Sequence, residues 1–165
     1  MSTRGTIAIK DKSGYVLGIY LHGDSYLDNA GEILLKGFST LEKVTDLIKH
    51  GACSVLHENI GEQHDFEDWE FFYNNRQCKF YHRDRGERFE IFKAKSVQEF
   101  YDNYSESNDY LFDDGIWYVR TFELEDDKYD ELMIPLTEAL ELFHEQEKRR
   151  KLQEALKNGI CTDSE

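Results

Sequence analysis

Three observations predict an α+β domain of antiparallel hairpins, with short helices packed on one side and a helix at the C-terminal end. Apolar runs come in pairs separated by turn residues, as at Asp11-Lys12-Ser13-Gly14 and Asp113-Asp114-Gly115. This is hairpin spacing, shorter than a βαβ crossover requires. Two Ser-x-x-Glu boxes, opening at Ser39 and Ser96, each precede apolar residues at helical intervals. Beyond Pro135, Leu136, Leu140 and Phe143 start an apolar stripe in a polar segment that runs to about Asn158. The chain divides accordingly into a compact α+β domain, 1–134, and a C-terminal helix and tail, 135–165.

Taken in order, residues 6–9 and 15–22 read as two strands. Asp28 is placed to cap a short helix through Ile33, Leu34 and Leu35 that ends near Gly37. Ser39 at the N-cap and Glu42 three residues on predict a helix with Leu41, Val44, Leu47 and Ile48 on one face and a stop at Gly51. Residues 58–70 carry six acids and little periodicity, an acidic loop leading into the aromatic segment 69–73. Residues 78–81 and 89–92 alternate like two strands around Asp84-Arg85-Gly86. A second capping box at Ser96 opens a helix to Tyr104, and strands are expected at 110–112 and 116–124. The last helix turns strongly polar after Glu145, so its second half projects or meets a partner, homo-oligomerisation through this helix included.

Composition narrows the function classes. The 165 residues carry 20 cations and 34 anions, a net charge of −14, and 14% of them are aromatic. There is one proline and no low-complexity tract or repeat. Cys53, Cys78 and Cys161 leave one thiol unpaired in any disulfide scheme, and neither a signal segment nor a membrane-length apolar run is present. A reduced cytosolic protein is expected, with no membrane and no direct DNA binding, since phosphate contacts rest on Lys and Arg. One stretch departs from this. Residues 76–95 hold seven cations against three anions, leaving 13 against 31 in the rest. A cationic island in an acidic protein can attract an anion that the remaining surface repels.

That island contains Tyr81-His82-Arg83-Asp84-Arg85-Gly86-Glu87. His82-Arg83-Asp84 matches the opening of a kinase catalytic loop, but Phe89 stands where Asn is needed and no Gly-rich loop occurs. Cys53-x3-His57 and Cys78-x3-His82 supply soft ligands for zinc, yet such pairs converge on helices and residues 78–81 read as a strand, so no metal is expected. Ser2, exposed by removal of Met1, has the position of an N-terminal nucleophile, for which ordinary processing is the plainer reading. Leu21-His22-Gly23-Asp24-Ser25-Tyr26 closes the first hairpin with acid, base and anchor types, and is equally turn chemistry. If the two loops meet, Arg4, His22, Asp24, Tyr26, Tyr81, His82, Arg83 and Arg85 line one pocket. Arg forks and aromatic faces there suit a phosphate and a base or ribose. An alternative is a nucleic-acid-mimicking face of Glu123, Glu125, Asp126, Asp127, Asp130 and Glu131, six acids in nine residues, that blocks a host nucleic-acid-binding or defence protein. Its charge is thin beside duplex DNA, with one charge per ~1.7 Å of axis. A second alternative is a small nucleotide hydrolase using His22 with Asp24, or His82 with Asp84. The leading reading names no catalytic residue and no cofactor.

The opening Met1-Ser2-Thr3-Arg4-Gly5-Thr6-Ile7-Ala8-Ile9 and Gly18-Ile19-Tyr20-Leu21-His22-Gly23-Asp24-Ser25-Tyr26 resemble a largely uncharacterised family of small acidic tailed-bacteriophage proteins. Glu42-Lys43-Val44, His64-Asp65-Phe66, Tyr81-His82-Arg83-Asp84-Arg85-Gly86-Glu87 and Gly115-Ile116-Trp117-Tyr118-Val119 continue the likeness, which covers roughly residues 1–119 in order. The family motif usually reads His-Trp-Asp-Gly-Tyr, so Gly23 and Ser25 depart from it, as does Cys53. The resemblance implies a phage accessory protein of the bacterial host cytoplasm, engaged in host takeover or anti-defence by binding alone.

Overall fold

Gly5–Lys10 (β1) and Val16–Leu21 (β2) pair antiparallel, with Gly5 opposite Leu21 and Lys10 opposite Val16. Asp11 holds the turn, its Oδ1 accepting from the Ser13 N–H at 2.9 Å, the Ser13 hydroxyl at 2.7 Å and the Tyr15 N–H at 3.0 Å. The computed structural model describes residues 3–159, so the Ser2 amine and Cys161 lie outside the described residues. On its other edge β1 takes Asn108–Asp113 (β6) in parallel, with Thr6 opposite Asp109. Ile116–Thr121 (β7) and Ile134–Pro135 (β8) extend that side antiparallel. The outer edge of β2 is shared. Phe92–Ala94 (β5) pairs with its first half and Cys53–Val55 (β3) with Leu21 at its end, Lys79–Phe80 (β4) lying beyond β3. The sheet order is β4-β3-β2-β1-β6-β7-β8 with β5 beside β2, one mostly antiparallel sheet in an α+β fold, as predicted.

Alternation along β1 sends Ile7 and Ala8 into different cores. Ile7 joins Ile19, Leu21, Tyr110 and Trp117 under the helices Glu32–Gly37 (α1), Leu41–Ile48 (α2) and the C-terminal helix, labelled α6 below, which contribute Leu34, Leu47 and Leu136. Ala8 joins Val16, Leu111, Phe92 and Phe100 under Val97–Tyr104 (α5), so a smaller core lies across the sheet from the larger. Phe92 lies so close over Gly18 that a Cβ there would run into its ring. Trp69–Asn74 (α3) and Tyr81–Arg85 (α4) sit at the β3–β4 end. The helix Leu136–Lys157 (α6) has Leu136, Ala139 and Leu140 buried in its first turns. Among the described residues, no helix is long and apolar enough to cross a membrane.

Four local expectations are corrected. Asp28 caps no helix among the described residues: a π-helical turn, Leu27–Gly31, precedes α1, and the Leu27 N–H is held by the Glu123 carboxylate at 2.8 Å. The α2 N-cap is Thr40, one residue after Ser39, its Oγ1 accepting from the Lys43 N–H at 3.2 Å. Leu41, expected on the buried face with Val44, Leu47 and Ile48, stands at the first helical position and is 62% exposed. Residues 78–81 and 89–92 form no hairpin with each other. Asp84 accepts from the Phe80 N–H at 2.8 Å and Gly86 adopts φ +76°, so the segment between closes as the helical turn α4. Ser96 caps α5 as expected, accepting from the Glu99 N–H at 3.1 Å.

Candidate functional site

The two predicted loops meet at the end of β2. The His22 N–H donates to the Cys53 carbonyl at 2.9 Å and the Tyr81 N–H to that of Ala52 at 3.2 Å. The consecutive carbonyls of Ala52 and Cys53, at the start of β3, thus place both side chains, and their ring centroids lie 4.7 Å apart at 60°. Tyr81 continues to Phe66, on the acidic loop, at 5.3 Å. Phe66 is flanked by two cations, the Arg85 guanidinium at 4.8 Å and the Lys79 Nζ at 4.1 Å from its ring centre. Lys79 is covered further by Trp69, at 3.1 Å, with Phe72 at 5.5 Å. The result is a ledge on which the half-buried His22 and Tyr81 rest beside the buried Phe66, with Arg85 on Phe66 and Lys79 between Phe66 and the exposed Trp69.

Its charges are unevenly satisfied. Burial, and next the neighbouring Arg4, push the His22 imidazole below its ordinary range, which keeps it neutral at pH 7. Arg4 is exposed and has no ion-pair partner among the described residues. Arg85 pairs with Glu87 at 3.2 Å, both about half exposed, and an exposed pair of this kind exchanges readily for a ligand anion. Lys79 is fully buried and its ammonium has no hydrogen-bond partner among the described residues. Burial, and more weakly the neighbouring Arg85, hold its pKa below the ordinary value against the pull of Glu67 and Asp84. The ring faces also favour the charged form.

Arg83, predicted as a ligand anchor, is withdrawn from the site. Its Nε and Nη2 fork onto Asp84 at 3.0 and 3.2 Å, Nη1 donates to the Ile60 and Gly61 carbonyls at 3.0 and 3.1 Å, and Nη2 also donates to that of Cys78 at 3.0 Å. Those contacts engage all of a guanidinium's donors. Asp84, its side chain fully buried, also accepts from the His64 N–H at 3.0 Å. His82 faces elsewhere, its Nδ1 on the Glu87 carbonyl at 2.7 Å and its ring 5.6 Å from Phe89. No hydrogen bond, ion pair or ring contact among the described residues joins Asp24 or Tyr26 to α4. Asp24 stands at φ +54° with its carbonyl accepting from Asn29. Nor do His22 with Asp24, or His82 with Asp84, form the acid–base dyads of the hydrolase reading among the described residues.

The acidic face is also rearranged. Glu123 points inward, accepting from the Leu27 N–H and from Asn108 Nδ2 at 2.8 Å each, and burial raises its pKa. Glu125 is paired with Arg149 at 2.9 Å and Asp126 caps a short 3-10 turn through the Lys128 N–H at 3.0 Å. Only Asp127, Asp130 and Glu131 of the six remain as exposed acids with no side-chain partner among the described residues. Cys53 and Cys78 are buried thiols that donate to the carbonyls of Val55 and His57, at 3.2 Å each. No three His, Cys, Asp or Glu side chains converge as a metal site among the described residues.

Lys79, Phe66 and Trp69 escape sequence reasoning because they belong to segments read separately, a cationic strand and an acidic loop. The available signal is the pairing of opposites: an acidic loop bearing two aromatics beside a cationic island. Comparison with protein-family models, curated proteins and solved structures gives no match for this chain.

Proposed function

We propose that this chain is a non-catalytic phage accessory protein of the host cytoplasm, acting in takeover or anti-defence by binding an anionic, nucleotide-like ligand on the His22–Tyr81 ledge. The observation that carries the reading is the 4.7 Å contact of His22 with Tyr81, from loops about 60 residues apart, with Arg85 alongside on Phe66. Ring faces suit a planar base and the exchangeable Arg85 suits its phosphate. The likeness of residues 1–119 to small phage proteins supplies the biological setting.

Thermal shift against a panel of mono-, di- and cyclic nucleotides tests it. A ligand at 100 times its Kd adds about 2.7 kcal/mol of stability, read as a rise of roughly 5–10 °C in a domain of this size. His22→Ala and Arg85→Ala are expected to remove the shift while leaving the unliganded midpoint nearly unchanged. No shift with any nucleotide at about 1 mM, or a shift that survives both substitutions, overturns the proposal.

A further inference from the structure

α6 buries Leu136, Ala139 and Leu140 and packs Phe143 against the core. On the opposite side of the same helix, Glu138, Leu142, Glu145, Arg149, Leu152 and Leu156 follow one another at intervals of four, three, four, three and four residues. That is a heptad seam, the repeat by which two helices pack along their length. All six side chains are exposed, with Leu142 at 37% and Leu152 and Leu156 at 57%. Three leucines in line on a charged helix form a stripe that no other part of the chain covers among the described residues.

We infer that this seam pairs with a second copy of itself, antiparallel, about a two-fold axis level with Glu147. In that register Leu142 of one copy faces Leu152 of the other, and Glu145 faces Arg149, each contact occurring twice by symmetry. Leu156 then closes over the aliphatic stem of Glu138 at either end. A parallel pair in register would set Glu145 against Glu145 and Arg149 against Arg149, so like charge rejects it. The larger charge pattern agrees. Glu141, Glu145 and Glu147 precede the block Lys148, Arg149, Arg150 and Lys151, and antiparallel pairing lays the acidic stretch of one copy beside the basic block of the other. Arg149 already pairs with Glu125 at 2.9 Å, which fixes it beside the seam, between that carboxylate and the incoming Glu145. The seam spans about 27 Å of helix, a short contact for a reversible dimer.

Sedimentation equilibrium of the full chain from about 1 to 300 μM tests the inference. A concentration-dependent dimer is expected. Glu145→Arg alone, or Arg149→Glu alone, places like charges in two layers and is expected to weaken association at least about tenfold. An equimolar mixture of the two variants restores opposite charges in both layers and is expected to recover dimer as a heterodimer. Glu145 makes no ion pair or side-chain hydrogen bond among the described residues, so its variant isolates the interface from the fold, with helical circular dichroism as the control. A monomer across the whole range overturns the inference. So does a dimer indifferent to Glu145→Arg, or a variant mixture that stays as weak as its components.

Discussion

Arg83 and Lys79 lie four residues apart in the same cationic island, and the structure treats them in opposite ways. Arg83, with 12% of its side chain exposed, reaches a buried carboxylate and three backbone carbonyls. It ties α4 to the acidic loop and to the start of β4. Lys79 is more deeply buried and, among the described residues, reaches no acceptor, only ring faces. A guanidinium is planar and presents its donors as a fork, so it can be satisfied completely inside a protein. An ammonium on a flexible stem can rest on aromatic faces instead. Charge counted along a sequence cannot separate these cases. One cation holds the fold, and the other helps shape a surface whose outward cations are Arg85 and Arg4.

The sharpest way to break the comparison is to remove each cation in turn and read stability. Arg83→Ala leaves Asp84 buried without its fork and is expected to cost about 3–5 kcal/mol in denaturant unfolding. Arg83→Met is expected to cost as much, because its loss is of hydrogen bonds and charge rather than volume. Arg85→Ala should stay within about 1 kcal/mol. Parity between the two arginines would erase the distinction.

A smaller effect is expected at the aromatic cover. Trp69→Ala uncovers the Lys79 ammonium and should cost about 1–2 kcal/mol. Lys79→Met keeps the stem volume and removes a buried charge with no acceptor, so a change within about 1.5 kcal/mol is expected. A loss above about 3 kcal/mol would make Lys79 a fold-holding residue like Arg83.

The smallest effect is electrostatic. His22, His50 and His57 are all pushed below their ordinary value, chiefly by burial. On acidification the unfolded chain therefore takes up protons that the folded chain refuses, and stability falls as pH drops through about 6.5. The raised carboxylates Asp109 and Glu123 act with the opposite sign, starting from the ordinary carboxylate range. A scan from pH 8 to pH 6 crosses the ordinary histidine value. A fall of roughly 2–5 °C in Tm is expected, reduced in His22→Gln. A rise over that interval would contradict the burial of these rings.

Much of the scaffold was legible because its signals are local. The Asp11 and Asp113 turns, the Ser96 cap and the run of α6 each depend on residues within a few positions of one another. Thr40 displaced Ser39 as cap although only Ser39 has a Glu three residues on, because either hydroxyl can accept from an N-terminal N–H and the backbone conformation at each position chooses between them. Residues 78–92 misled because their strand-like alternation was overruled by one carboxylate, Asp84, bonding back to the Phe80 N–H. For the site, His22, Tyr81 and Arg85 were legible as types suited to a ligand. That Arg83 was already occupied, and that Phe66 and Lys79 completed the ledge, depended on contacts reaching more than 20 residues away or across separate segments.

The parallel pairing of β1 with β6 joins positions 103 residues apart, as the Thr6 hydroxyl bonded to Asp109 at 2.7 Å makes plain. During synthesis the first hairpin must therefore stand with an unpaired edge, and with its Ile7 and Ile19 face only partly covered, until β6 leaves the ribosome. At about 5–20 residues per second that interval is roughly 5–20 s. An exposed strand edge is a template for unwanted pairing. The order of translation thus makes the nascent first third of this chain the stretch on which a chaperone would act.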